Sequence, residues 1–136
     1  MKANHLVIGA ALAAALVRPV SAHHSFAAEF DASKAVTLVG SVTKVEWANP
    51  HIWVYLDVKD DRGTPQAWQC EGGPPNTLTR NGWGPNSLKV GDQITIDGAL
   101  AKDGSHTCNA RTVKLADGRS VFAGSSGGDN PAQPKR

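Results

Sequence analysis

The 136-residue chain lacks the short motifs that mark the common catalytic centres. It contains no GxSxG nucleophile elbow, no HExxH zinc-binding helix, no EF-hand calcium loop, no P-loop and no CxxC redox pair. Acidic residues are present, but no spaced pair of them stands out as a general acid and base. These absences argue against an enzyme of a familiar class and favour a non-enzymatic binding protein.

Cysteine is scarce as well, since Cys70 and Cys108 are the only two in the chain. Their separation excludes a CxxC pair, but in an exported protein it permits a structural disulfide. A bridge closing a loop of this length would stabilise the fold by about 4 kcal/mol in the chain-entropy description. Two unpaired thiols are the alternative.

No apolar run is long enough for a membrane-spanning helix, which needs about 20 residues. The run from Leu6 to Val17 follows Lys2 and precedes the small residues of Val20-Ser21-Ala22, as in a cleaved secretory signal. The sequence therefore predicts a signal peptide at 1–22, a single domain at 23–124 and a disordered tail at 125–136. The mature protein would be periplasmic or secreted, without a permanent membrane anchor.

An excess of charge is also missing from the predicted mature chain. Lys2 and Arg18 fall in the signal peptide, which leaves 12 basic and 12 acidic residues in 23–136. A chain this close to neutrality lacks the positive field with which general nucleic-acid binders attract phosphates. We therefore expect no nucleic-acid partner, and a small ligand or another protein instead.

Strand periodicity, in contrast, is abundant. Between His51 and Val58, aliphatic residues occupy every second position, which is the pattern of a strand with one buried face. Asp61-Arg62-Gly63 then supplies a turn to a return strand at about 66–71. Ahead of this hairpin, a long first strand that starts near Val36 changes its aliphatic phase after Val42, which indicates a bend or a bulge.

The rest of the domain predicts one short helix and two more strands. Pro74-Pro75 could open a helix at about 76–81, which Gly82 would end. Strands follow around Ile94-Ile96 and Val113-Leu115, and glycine-containing turns bound them. We therefore predict an all-β fold, a small five-stranded OB-like barrel with one short helix between strands 3 and 4. Another small β-barrel or a sandwich is the alternative.

Five stretches of the predicted domain carry a further signal: HHSFAAEFD, VEWANPHIW, EGGPPNTLTRNGW, SLKVGD and ARTVKLADGR. Together they resemble an exported bacterial family of unknown function. The resemblance runs from about His23 to Gly124, which is nearly the whole predicted mature chain. It implies an exported, single-domain β protein of OB-like form, and it implies no particular activity.

Cleavage after Ala22 would place His23 and His24 at a new amino terminus. A free amine and neutral imidazoles can both present nitrogen to a metal near pH 7, and a nitrogen-rich, nearly planar set suits Cu(II). Such a site would need a further histidine, His51 or His106, brought close by the fold. The alternative is a solvated amino terminus that binds no metal.

Trp53 and Tyr55 form a second candidate site. If the aliphatic phase of their strand faces inward, both rings face outward, on a side where OB-folds commonly bind ligands. Aromatic rings stack on sugars, bases and other flat ligands. The alternative is that the rings are covered by segment 26–30 or by the loop at Trp83, and serve packing.

Glu71 and Arg80 form a third candidate, near the two ends of EGGPPNTLTR. They could pair with each other and fix the helix across the end of the barrel, or they could face a ligand together. The glycines between them are expected to serve backbone geometry, because the stretch matches no phosphate-binding fingerprint.

These candidates order three functional hypotheses. The first is an exported, non-enzymatic β-barrel that binds an unidentified ligand. A periplasmic copper-binding protein that uses the terminal histidines is the second, and a copper-dependent enzyme is the third. Copper is the one cofactor that the residues suggest.

Overall fold

The computed structural model describes residues 26–124, which form an all-β fold with little helix. The strands are β1 Phe30–Glu46, β2 Trp53–Lys59, β3 Pro65–Glu71, β4 Gln93–Ala101, β5 Thr107–Lys114 and β6 Ser120–Phe122. Two short helices accompany them, α1 Phe26–Glu29 before β1 and α2 Pro75–Arg80 between β3 and β4. The predicted signal peptide, His23, His24 and the predicted tail lie outside the described residues.

These strands belong to one sheet, in the order β3-β2-β1-β4-β5-β6, and neighbours in this order are antiparallel. β3 also pairs with β5 in parallel, through Gln69 to Glu71 against Thr107 to Asn109. The pairings from β1 through β2, β3, β5 and β4 therefore return to β1. This circuit of pairings brings β2, β3 and the start of β5 side by side, and the candidate site is built on these three strands.

β1 is a long strand of 17 residues that pairs first with β4 and then with β2. The predicted change of phase corresponds to a register shift between Val42 and Lys44. Gly40 lies where β1 pairs with both neighbours, and a Cβ atom there would lie 2.4 Å from the carbonyl oxygen of Asp57. Any larger residue at this position would therefore push β2 away from β1.

Two predictions about the number of elements were wrong. The described chain has six strands rather than five, because β6 pairs with the end of β5 after the turn at Asp117-Gly118. A strand of three residues is too short for its alternation to be recognised. The second helix, α1, has four residues and is likewise too short to show a period of 3.6.

The predicted helix near 76–81 corresponds to α2, which begins one residue earlier, at Pro75, and ends at Arg80. Gly82 follows with a φ of 89°, a left-handed conformation that glycine adopts without strain. No helix within residues 26–124 is long and apolar enough to cross a membrane.

Aliphatic side chains that alternate along the strands form the core. Its almost fully buried members include Val42, Val54, Leu56, Ile94, Ile96 and Val113. Cys70 and Cys108, each 0% exposed, form a disulfide within this core, which confirms the predicted bridge. The two cysteines face each other across the parallel pairing of β3 with β5, so the disulfide ties together the contact that completes the circuit of strands.

Candidate ligand-binding site

One face of β2, β3 and β5 carries polar and aromatic side chains, in contrast to the aliphatic core behind it. Side chains alternate along a strand, so the residues that flank the core positions point away from the core. The register places Trp53 opposite Glu71, and Glu71 opposite Asn109. We call this surface the outer face, and it consists of Trp53, Tyr55, Gln69, Glu71, Thr107 and Asn109.

His51 and Glu71 form a partly buried ion pair at the edge of the outer face. The Nδ1 atom of His51 lies 2.5 Å from Oε1 of Glu71, and their side chains are 18% and 10% exposed. An ionised carboxylate can only accept, so Nδ1–H donates this hydrogen bond, and Nε2 is the ring atom that a metal or ligand would engage. Backbone hydrogen bonds between Ile52 and Gly72-Gly73 hold His51 beside the end of β3.

Polar atoms are buried at this edge to an extent that is unusual for the outside of a sheet. Glu71 and Asn109, which face each other across the pairing of β3 with β5, are both buried. Burial of a carboxylate costs free energy unless the group is paired and hydrogen-bonded. His51 supplies such a partner, and the result is a fixed polar group next to Trp53.

A groove of about 670 Å³ lies beside Trp53. Gln69 of β3 and Thr107 of β5 contribute to its wall together with Trp53. The rest of the wall comes from the junction of α1 with β1, at 28–30, and from the turn between β4 and β5, at 101–105. Because Trp53 lies opposite Glu71 in the register, the groove adjoins the buried ion pair.

The wall of the groove combines carboxylates with uncharged hydrogen-bonding groups. Hydrogen bonds from Ser105 hold the pKa of the Asp103 carboxyl below its ordinary value, so this group is negatively charged at neutral pH. The Lys102 ammonium donates to the carbonyl oxygen of Ala27 at 2.5 Å. The Gln69 amide donates to the Thr107 hydroxyl at 3.2 Å. The groove therefore offers an aromatic ring, an amide, hydroxyls and carboxylates within one wall.

Tyr55 belongs to a separate cluster on the neighbouring part of the sheet. Its hydroxyl donates to Glu46 at 3.0 Å, and Lys44 bonds to the same carboxylate and lies 5.1 Å from the centre of the Tyr55 ring. Lys44 and then Tyr55 hold the pKa of Glu46 below its ordinary value. Burial, followed by the bond to Glu46, raises the pKa of Tyr55. The predicted pair of outward rings thus divides, and Trp53 is the member that lines the groove.

Two other tryptophans near the predicted aromatic site have packing partners of their own. Trp47 lies 6.5 Å from Trp83, centre to centre, and Trp83 is a buried member of the core. Trp68 is stacked on His106 at 4.6 Å with an angle of 11° between the rings. Trp47 therefore contributes to packing, and Trp68 forms a stacked pair outside the groove wall.

The structure does not bring His51 and His106 together in one cluster. His51 pairs with Glu71, whereas His106 stacks on Trp68. Among residues 26–124, no group of three histidine, cysteine, aspartate or glutamate side chains could hold a metal ion. The predicted copper ligands His23 and His24 lie outside this range.

Glu71 pairs with His51 rather than with Arg80, which is exposed in the last turn of α2. The intervening glycines do serve backbone geometry, since a Cβ atom on Gly73 would lie 2.4 Å from the carbonyl oxygen of Gly124. Sequence reasoning missed Asn109, although inward-facing neighbours such as Cys108 and Ala110 could have indicated that it points outward.

Comparison with known proteins gives one match. A family model covers residues 11–110 of the chain, and its description is a family of unknown function. No curated protein and no solved structure matches the chain. The comparisons therefore assign a family, and any function has to be argued from the site.

Proposed function

The chain belongs to DUF6152, a family of unknown function, and from this premise we propose that it is an exported, non-enzymatic binding protein. Its ligand would bind in the groove beside Trp53. Export is proposed from the signal-like pattern of residues 1–22, and the disulfide is compatible with an oxidising compartment.

The order of strand pairings supports a closed barrel of OB type. Such a barrel has five strands that pair in the circuit β1-β2-β3-β5-β4, and its ligands bind on the face of strands 2 and 3 and on the neighbouring loops. The circuit in this chain follows the same order, with α2 in the connection between β3 and β4 and with β6 added beside β5.

The observation that carries the proposed function is the position of the groove. It lies against β2 and β3 through Trp53 and Gln69, and against the turn between β4 and β5. These are the places where OB-folds bind ligands. Its volume of about 670 Å³ also falls within the range of about 300–1,000 Å³ that small-molecule sites have.

Nuclear magnetic resonance of the ¹⁵N-labelled mature chain, titrated with a library of small polar compounds, would test this proposal. We expect binding compounds to shift the indole N–H of Trp53 and the amides of Gln69 and Thr107. Trp53→Ala should abolish these shifts, whereas Trp68→Ala, which removes a ring outside the groove wall, should leave them unchanged. Shifts that persist in Trp53→Ala would show that the groove is not the binding site.

His51 supports a second candidate function, the binding of copper at a mature amino terminus that begins with His23. Metal-binding histidines commonly donate their other ring N–H to a carboxylate, which orients the ring, and His51 makes this contact with Glu71. The His23 amine and the imidazoles of His23 and His24 would supply the remaining nitrogen ligands. A copper-dependent enzyme would in addition need an open coordination position.

Copper titration of mature protein that mass spectrometry shows to begin at His23 tests this second function. We expect one-to-one binding with a Kd below about 1 μM. One extra residue before His23, or His51→Ala, should weaken it at least about tenfold. His106→Ala is the matched control, because that ring stacks on Trp68. Equal and weak binding by all forms would rule out a copper site.

A further inference from the structure

We infer that the groove beside Trp53 recognises a neutral oligosaccharide. This inference rests on the proposed function and names the class of ligand. It follows from the chemistry of the groove wall, which combines one accessible aromatic ring with carboxylate, amide and hydroxyl groups. Three properties of the wall carry the argument: the aromatic surface, the hydrogen-bonding groups and the sign of the charge.

The aromatic surface of the groove is a single tryptophan. Trp53 is partly buried and lines the groove, whereas Phe30, the other aromatic residue of the wall, is only 4% exposed. The face of an indole ring is electron-rich, and the C–H faces of a sugar ring are apolar with slightly positive hydrogens, so the two surfaces stack favourably. One open ring thus suits a sugar, whereas the recognition of a cation would favour several rings around it.

The polar groups around Trp53 match the hydroxyl groups of a sugar, each of which both donates and accepts. Asp103 accepts only, Gln69 both donates and accepts through its amide, and Ser105 and Thr107 do so through their hydroxyls. Hydrogen bonds that involve a charged carboxylate are the stronger ones. Asp103 is therefore the principal acceptor that we expect for a sugar hydroxyl.

The charge of the wall disfavours anionic ligands. Glu29 and Asp103 contribute two carboxylates, and Lys102, the one basic residue of this wall, directs its ammonium group to the carbonyl oxygen of Ala27. A nucleotide or another phosphate would meet like charges without a cation oriented toward it. This separates the two ligand classes that OB-folds commonly bind, oligonucleotides and oligosaccharides, in favour of the second.

The test uses the same ¹⁵N-labelled mature chain with a defined set of probes. The neutral probes are cellotetraose, maltotetraose and the tetramer of N-acetylglucosamine. The charged probes are tetrathymidylate, which is anionic, and choline, which is cationic. We expect at least one neutral tetrasaccharide to shift the indole N–H of Trp53 in a saturable manner, and neither charged probe to do so at the same concentration.

Two variants make the test specific. Trp53→Ala should reduce the affinity for the tetrasaccharide at least about tenfold, and Trp68→Ala should leave it unchanged. Asp103→Asn, at an exposed position, keeps a hydrogen-bonding oxygen but removes the charge, so it should reduce sugar affinity by about three- to tenfold without affecting the fold.

The outcomes distinguish this inference from the proposed function. Binding of tetrathymidylate or choline at Trp53, with no tetrasaccharide binding, would overturn the oligosaccharide assignment but leave the groove as a ligand site. No response of Trp53 to any of the three sugars would also overturn the assignment, and the wider compound library would then decide whether the groove binds any ligand. Sugar binding that survives Trp53→Ala would overturn both.

Discussion

The two faces of β2, β3 and β5 differ completely in chemistry, although the same strands supply both. Val54, Leu56, Cys70 and Cys108 point into the core, where each is at most 2% exposed. The alternate residues form the outer face, where a buried carboxylate pairs with His51 and an indole ring lines a groove.

This contrast shows how a small sheet separates stability from recognition. Inward side chains contribute through the apolar area that they bury, and they require no directional partner. Outward side chains at the same depth in the molecule need hydrogen-bonding partners, which makes their arrangement specific. Changes on the inner face should therefore affect mainly the free energy of unfolding, and changes on the outer face mainly the binding of a ligand.

The largest effect is expected from removing the disulfide on the inner face. Cys70→Ala combined with Cys108→Ala should lower the free energy of unfolding by about 4 kcal/mol, because the unfolded chain regains the freedom of the closed loop. Urea unfolding measured by circular dichroism would show it. Wild-type protein in reductant is the control and should show a similar loss. A loss below about 1 kcal/mol would mean that the bridge has little effect on the stability of the fold.

A matched pair of truncations compares the two faces directly. Leu56→Ala should lower the free energy of unfolding by about 3 kcal/mol, because it leaves a cavity at a position that is 1% exposed. Gln69→Ala, on the outer face, removes the hydrogen bond to Thr107 and should cost about 1 kcal/mol or less. Equal losses in urea unfolding would contradict the separation of roles.

The pairing of His51 with Glu71 is the point where the outer face should contribute to stability. A double-mutant cycle with His51→Ala and Glu71→Gln should give a coupling energy of about 1–2 kcal/mol, because both side chains are less than one-third exposed. The matched cycle of Glu71→Gln with Arg80→Ala should give a coupling energy near zero. A coupling to Arg80 as large as that to His51 would show that Glu71 stabilises α2 instead.

The smallest effect concerns the exposed cluster around Glu46. Its folded-state pKa is lowered, first by Lys44 and then by Tyr55, so its contribution to stability is present above about pH 5 and is lost as the pH falls through the lowered pKa. Lys44→Met should therefore raise the pKa of Glu46 more than Tyr55→Phe does, as measured by carboxyl resonances. The pKa of Asp60, which Thr64 lowers, should not move in either variant. The reverse ranking would contradict the proposed causes.

Much of the sheet could be predicted from alternation and turn residues. The hairpin of β2 and β3, the phase change within β1 and the all-β class follow from local patterns, since a strand with one buried face repeats every two residues. The start of β1 at Phe30 and the short strand β6 were missed. In both places the chain enters the sheet through pairing with distant segments, and the local sequence carries too little alternation to show it.

Less of the candidate site could be predicted. Trp53 was selected because it alternates with aliphatic residues, and it does line a groove. Glu71 was paired in the prediction with Arg80, nine residues away in sequence, whereas its partner in the fold is His51, which is twenty residues away in the other direction. His106 was considered as a companion of His51, but stacking on Trp68 fixes its place.

Local periodicity is thus enough to tell which side of each strand faces the core, because alternation and turn chemistry involve only neighbouring residues. It also left two cysteines on inward positions, where a bridge could form. The partner of Glu71, the groove at Trp53 and the parallel contact of β3 with β5 depend instead on how distant strands align. Their alignment is set by the packing of the whole core, and no single segment of the sequence encodes it.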